Sequence, residues 1–114
     1  LGGAKARERK VAALAALGEM RDAQALPPMI TCLGDKDPMV RASAKTALSA
    51  CAAPSAPAKL QETFATLALG ELGDRKSKAR EGLIELLLAK PWVDEDIRRV
   101  VDWIRENLRS RADS

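Results

Sequence analysis

After a shift of 31 residues, Lys10, Ala13, Ala16 and Leu17 of this chain fall on Arg41, Ala44, Ala47 and Leu48. A period of that length marks stacked two-helix units, none of which can bury its apolar face alone. Such a chain folds as an elongated helical stack, and most of its side chains are committed to stacking. The composition agrees. Apolar residues make up 46% of the 114, yet only Phe64, Trp92 and Trp103 are aromatic. The core must therefore be Leu, Ala, Val and Ile, which suits closely packed helices better than a sheet.

Apolar spacing predicts six helices, over about residues 4–18, 23–33, 38–51, 56–69, 76–89 and 94–110. In the second, Leu26, Met29, Ile30 and Leu33 form an i, i+3, i+4, i+7 stripe. Pro27-Pro28 fits only a first turn, where the missing N–H groups have no partner to lose. The helix start accordingly moves a residue or two beyond Ala23. Gly34 reads as a left-handed C-cap, and Asp37 as the N-cap of a third helix with Pro38 at its first position. Ser55 is placed as the cap of the fourth helix, with Gly70 and Gly73-Asp74 as breaks after it. Pro91 ends the fifth. Asp94, Glu95 and Asp96 open the sixth, and Arg105, Arg109 and Arg111 lie towards its end, both biases complementing the helix dipole.

The run Ala25-Leu26-Pro27-Pro28-Met29, followed by Leu33-Gly34-Asp35-Lys36-Asp37-Pro38-Met39-Val40-Arg41 and then Ala44 and Ala47-Leu48, resembles HEAT-like repeats of the phycobilisome-lyase type. Gly73-Asp74-Arg75-Lys76-Ser77 with Arg80 echoes the same junction at a wider spacing of about 39 residues. The expected fold is an all-α superhelix, a HEAT-like solenoid of six helices in three antiparallel hairpins. It would form one domain over residues 1–114, with repeats at about 4–34, 38–70 and 75–112. The resemblance implies that the second helix of each pair lines the inner surface. It also implies a polar ladder between repeats, made by Asp35 or Asp37 with Arg41. Scaffolds, regulators and subunits of bilin-lyase-like enzymes all use this architecture, so the resemblance alone names no activity.

The reactive inventory is thin. With no histidine and no tyrosine, proton transfer near neutral pH would rest on shifted carboxylates, lysines or thiols. Cys32 and Cys51 fall at opposite ends of neighbouring helices, about ten helical residues apart at 1.5 Å each, beyond disulfide reach and unable to build a Cys/His zinc site. Leu1-Gly2-Gly3 lacks the preceding strand and the Lys-Ser/Thr of a phosphate loop. Asp94-Glu95-Asp96 and Asp35-Lys36-Asp37 read as a helix start and a cap rather than cation ligands. No catalytic, cofactor-binding or metal-binding residue is assigned, and no cofactor is expected. Two free thiols, no long apolar run and no signal-peptide pattern point to a soluble cytoplasmic protein with no membrane partner. A chain that opens on Leu1 rather than Met reads as a segment of a longer one.

The net charge of +3 is spread without a long block of one sign, so a polyanion is not the expected partner. Lys5, Arg7, Arg9 and Lys10, with Arg75, Lys76, Lys78 and Arg80, define the alternative of a nucleic-acid-binding module. Glu8, Asp74 and Glu81 interrupt or flank them, and no aromatic side chain is interleaved for base stacking. The inner helices carry a different signal. No charge lies between Asp22 and Asp35, and Gln24, Pro28 and Thr31 point away from the core. Lys59, Glu62 and Thr66 do so on the fourth helix. On the sixth, Arg99 and Trp103 share a face four residues apart, within cation–π reach. These eight residues are the candidates for contact with a peptide or helix of another protein. Trp92 is expected to close the end of the stack. Ile84 and Leu88 lie off the main stripe of the fifth helix and offer a surface for self-association. The reading is a non-catalytic protein-interaction or scaffolding module.

Overall fold

A computed structural model describes residues 2–89 and 91–109 of the chain. Arg111, one of the basic residues placed near the end of the sixth helix, lies outside them. Among the described residues there are six α-helices and no strand: α1 Gly2–Met20, α2 Leu26–Cys32, α3 Pro38–Cys51, α4 Ala58–Gly73, α5 Arg80–Leu88 and α6 Glu95–Ile104. A 3-10 turn, Ala23–Ala25, leads into α2, and a π turn, Arg105–Arg109, continues α6. Aspartates open three of these segments. Asp22, Asp37 and Asp94 accept hydrogen bonds from the backbone N–H groups of Gln24 at 2.9 Å, Met39 at 2.9 Å and Ile97 at 3.0 Å. Each satisfies a donor that the first turn leaves without a helical partner.

The first helices form one row, with α3 packed between α1 and α5, and the second helices form another, with α4 between α2 and α6. Two layers of helices about 10 Å across account for the shortest dimension of the molecule, 21 Å against a longest of 45 Å. Between the rows lies a single core in which Leu14, Leu26, Leu33, Leu48, Phe64 and Leu83 are fully buried. Positions that correspond under the 31-residue shift differ in burial. Ala44, Ala47 and Cys51 of α3 are buried, whereas their counterparts Ala13, Ala16 and Met20 of α1 are exposed, because α1 has a first-row neighbour on one side only among the described helices.

Several boundaries differ from the sequence expectation. Helix α1 passes through Gly18 to Met20, and Arg21 takes the left-handed conformation that ends it, with φ 50°. Gly18 serves close approach, since a Cβ there would stand 3.1 Å from that of Ala47. Gly34 is not a left-handed cap, because no glycine among the described residues has positive φ. Ser55 does not cap α4, which follows Pro57 without a side-chain cap and runs through Gly70 to Gly73. Helix α5 starts at Arg80, later than expected, because Asp74 and Ser77 hold the preceding residues in turns by accepting from the N–H of Lys76 at 3.0 Å and Ala79 at 3.2 Å. Cys32 and Cys51 are both free thiols.

The polar ladder exists with different partners. Arg41 donates to the backbone carbonyl of Asp35 at 2.8 Å, not to a carboxylate. The carboxylates of Asp37 and Asp35 instead receive Arg7 at 2.6 Å and Lys10 at 2.8 Å, both from α1. These contacts tie α1 to the turn between α2 and α3. At the next junction Arg80 donates to the carbonyl of Leu72 at 3.0 Å, and Lys45 of α3 pairs with Glu85 of α5. No described helix is long and apolar enough to cross a membrane.

Candidate partner-binding surface

Helix α6 turns Ile97, Val100, Val101 and Ile104 to the core, and α4 does the same with Leu60, Phe64, Ala68 and Leu72. Glu62, Thr66 and Leu69 of α4 and Arg99 of α6 stay outside. Between them runs a groove of about 410 Å³ that brings together Glu62, Thr66, Arg99 and Trp103, four of the eight sequence candidates. Ala65, Leu69 and Val100 complete its apolar lining. Leu69 is 43% exposed, and Trp103 is half-buried with its carbonyl accepting from the Asn107 side chain at 2.9 Å. Arg99 pairs with Glu95 at 3.3 Å and Asp96 at 3.4 Å, in the preceding turn, rather than with the Trp103 ring. Asp96 also lines the groove, so the neutral surface expected from α2 does not extend to α6.

The other four candidates are exposed but lie outside this groove. Gln24 sits in the 3-10 turn, Pro28 and Thr31 on α2, and Lys59 in the first turn of α4. Thr31 donates to the carbonyl of Pro27 at 3.0 Å, which folds its hydroxyl back onto the helix.

Sequence reasoning missed one furrow altogether. Helices α1 and α3 enclose about 550 Å³ lined by Val11, Ala15, Gly18, Ser43, Thr46 and Ala47. The signal was present in the small residues, which let two helices approach yet leave nothing to fill the channel above the contact. A third groove, of about 480 Å³, joins Ile84 and Leu88 to Ile104 and Leu108 at the far end of the stack. Trp92 is buried, its indole N–H donating to the carbonyl of Leu87 at 2.8 Å and its ring centroid 6.5 Å from that of Phe64. It closes the third hairpin.

The electrostatics hold structure together rather than activating a group. Hydrogen bonds from Lys10, Arg7 and Lys45 hold the carboxyls of Asp35, Asp37 and Glu85 below their ordinary range, and the bond to Asp35 pushes Lys10 up. Burial raises the thiols of Cys32 and Cys51, the opposite of what nucleophile activation requires. Of the basic residues in the nucleic-acid alternative, Arg7, Lys10 and Arg80 are engaged in these internal contacts. Lys5, Arg9, Arg75, Lys76 and Lys78 stand exposed.

Two rows of helices joined as successive hairpins, with an aspartate turn and an arginine recurring at the junctions, define an α-solenoid. Residues 4–66 match the family of HEAT repeats, and the chain belongs to that family. The match is to HEAT repeats at large and does not single out the phycobilisome-lyase type. No curated protein and no solved structure matches the chain. HEAT repeats generally mediate protein–protein interaction or scaffolding and are typically non-catalytic.

Proposed function

We propose that this chain is a non-catalytic module that docks a segment of another protein on its second-helix row, with the groove between α4 and α6 as the principal contact. The observation that carries this reading is the pair of incompletely covered apolar side chains in that groove, Leu69 and Trp103, with Arg99 beside them. Trp and Arg are over-represented where truncation most weakens an interface. The uncharged exposed residues Gln24, Pro28 and Thr31 extend the same row towards α2. The free thiols support a reducing, cytoplasmic setting.

Affinity capture with the intact chain and with Trp103→Ala tests it, alongside a photo-crosslinker at Thr66. A partner crosslinked at Thr66, and lost from the Trp103 variant, is the expected result. Capture indifferent to Trp103 would overturn the reading. So would tight nucleic-acid binding that weakens steeply with salt and disappears on charge reversal at Arg9 and Lys10.

A second reading, association between copies of this chain, is favoured by the apolar end groove where Leu88 is 45% exposed beside Ile84 and Leu108. An exposed apolar residue backed by part-buried ones gives such a contact its starting point.

A further inference from the structure

We infer that the segment docked between α4 and α6 is cationic, an apolar side chain flanked within about one turn by Lys or Arg; this rests on the groove being the partner site. The floor is apolar, made by Ala65, Leu69, Val100 and Trp103, and Glu62 and Asp96 stand on its rim. Glu95, outside the lining, shares Arg99 with Asp96. The single cation there, Arg99, is already paired with Glu95 and Asp96. The rim is therefore net negative on a chain whose formal charge is +3.

Lys5 and Arg9 on α1 and Arg75, Lys76 and Lys78 before α5 are exposed away from the groove, while Lys59 and Arg98 are exposed on α4 and α6 outside its lining. Within the lining, two carboxylates against one arginine that is already paired favour a cationic segment over an acidic one. The apolar floor supplies what charge alone cannot, a pocket for a side chain that leaves water.

The dimensions limit the segment. Along α4 the groove runs from Glu62 to Leu69, and along α6 from Asp96 to Trp103. At 1.5 Å per residue each wall is about 10 Å long, room for two helical turns or three extended residues. One apolar anchor and a basic neighbour on either side fill it. A contact so small sits well below the size of a stable standard interface, so charge contributes a large share of its selectivity.

The test is selection of random 12-residue peptides displayed on phage against the full chain, followed by binding of the enriched peptides to variants. The expected peptides carry Leu, Met, Phe or Trp next to Lys or Arg. Their binding falls about tenfold or more in the double variant Glu62→Lys, Asp96→Lys and weakens with added salt. Circular dichroism reports whether that variant keeps its helices; if it does not, Glu62→Gln with Asp96→Asn takes its place, with a smaller loss expected. Neutral or acidic peptides that still lose binding in Trp103→Ala would overturn the cationic assignment and leave the groove standing as the site. Peptides indifferent to both Trp103 and the carboxylates, or no enrichment at all, would overturn the groove as well.

Discussion

Gly34 and Lys78 meet so closely that a Cβ built on Gly34 would stand 2.5 Å from the Lys78 Cβ and 2.7 Å from its carbonyl carbon. The turn after α2 thus rests on the turn before α5, joining the first and third hairpins across the stack. An added methyl meets backbone, which cannot rotate away. Gly34→Ala is expected to destabilise the fold by about 1–3 kcal/mol, as overpacking does. Gly70, inside α4, has nothing within 4 Å of its would-be Cβ. Gly70→Ala should stabilise by about 0.5–1 kcal/mol through helix propensity and a less disordered unfolded chain. Urea unfolding of the two variants measures both. Changes of the same sign would show that close approach is not what Gly34 provides.

These glycines also mark how far the sequence could be read. Periodic apolar positions located all six helices, and Asp37-Pro38 fixed the start of α3 to the residue, because cap chemistry is local. Glycine is ambiguous by nature: it breaks a helix, relieves a left-handed turn or admits a neighbour, and only the tertiary contact decides. Gly34 and Gly18 proved to be close approaches, and Gly70 lies within α4. The candidate surface was half legible. Wheel positions brought Glu62, Thr66, Arg99 and Trp103 to one face of their helices, and the packing of α4 on α6 made them a groove. The acid at Asp96 was read only as a helix start, since charge across two helices depends on their relative rotation, which periodicity does not give. The partners of the ladder were hidden for the same reason: Arg7 and Lys10 reach Asp37 and Asp35 from another helix.

That ladder sets a pH dependence. Asp35 and Asp37 are held below their ordinary value of 3.8, and Glu85 below 4.5, each chiefly by a hydrogen bond from its basic partner. A carboxyl lowered in the folded state contributes stability that is present above its unfolded value and lost as pH falls through the folded one. Lys10, raised above 10.5 by Asp35, contributes below that value and loses it as pH rises through its folded one. Stability should therefore be level near neutrality and decline on the acid side as pH falls below the ordinary carboxyl values of 4.5 and 3.8. The groups are solvated, so each effect is small and is screened by salt. Urea midpoints across that range should fall less steeply for Asp35→Asn than for the parent chain. Equal slopes would show that the Lys10 contact holds nothing.

Trp92 offers a sharper test of the third hairpin. Its indole caps the carbonyl of Leu87 near the end of α5, and its ring lies 6.5 Å from Phe64 at a tilt of 37°. Two changes separate these roles. Trp92→Phe keeps an aromatic ring but takes away the donor at a buried carbonyl, costing about 1–2 kcal/mol. Trp92→Ala empties the site as well and should cost about 3–5 kcal/mol. Thermal and urea unfolding give both values. If the phenylalanine variant loses as much as the alanine variant, the indole N–H rather than ring burial governs the closure.

At the far end of the stack, Leu88 is exposed beside Ile84, Ile104 and Leu108. Because Leu88 is nearly half exposed, replacing it removes only part of its packing, and Leu88→Glu should cost no more than about 1 kcal/mol. A charge in the middle of an apolar contact between copies is far more disruptive, since it would be buried without a partner. Sedimentation over a range of concentrations is expected to show self-association of the parent chain and a monomeric Leu88→Glu variant with an only slightly lower melting temperature. The opposite face gives the control: Met20 is also exposed, at 61%, and Met20→Glu should leave an association that runs through two Leu88 patches untouched. Loss of association in both variants would mean that copies meet end to end, the α1 face of one on the α5 face of the next, an arrangement that grows into chains rather than closing as a pair.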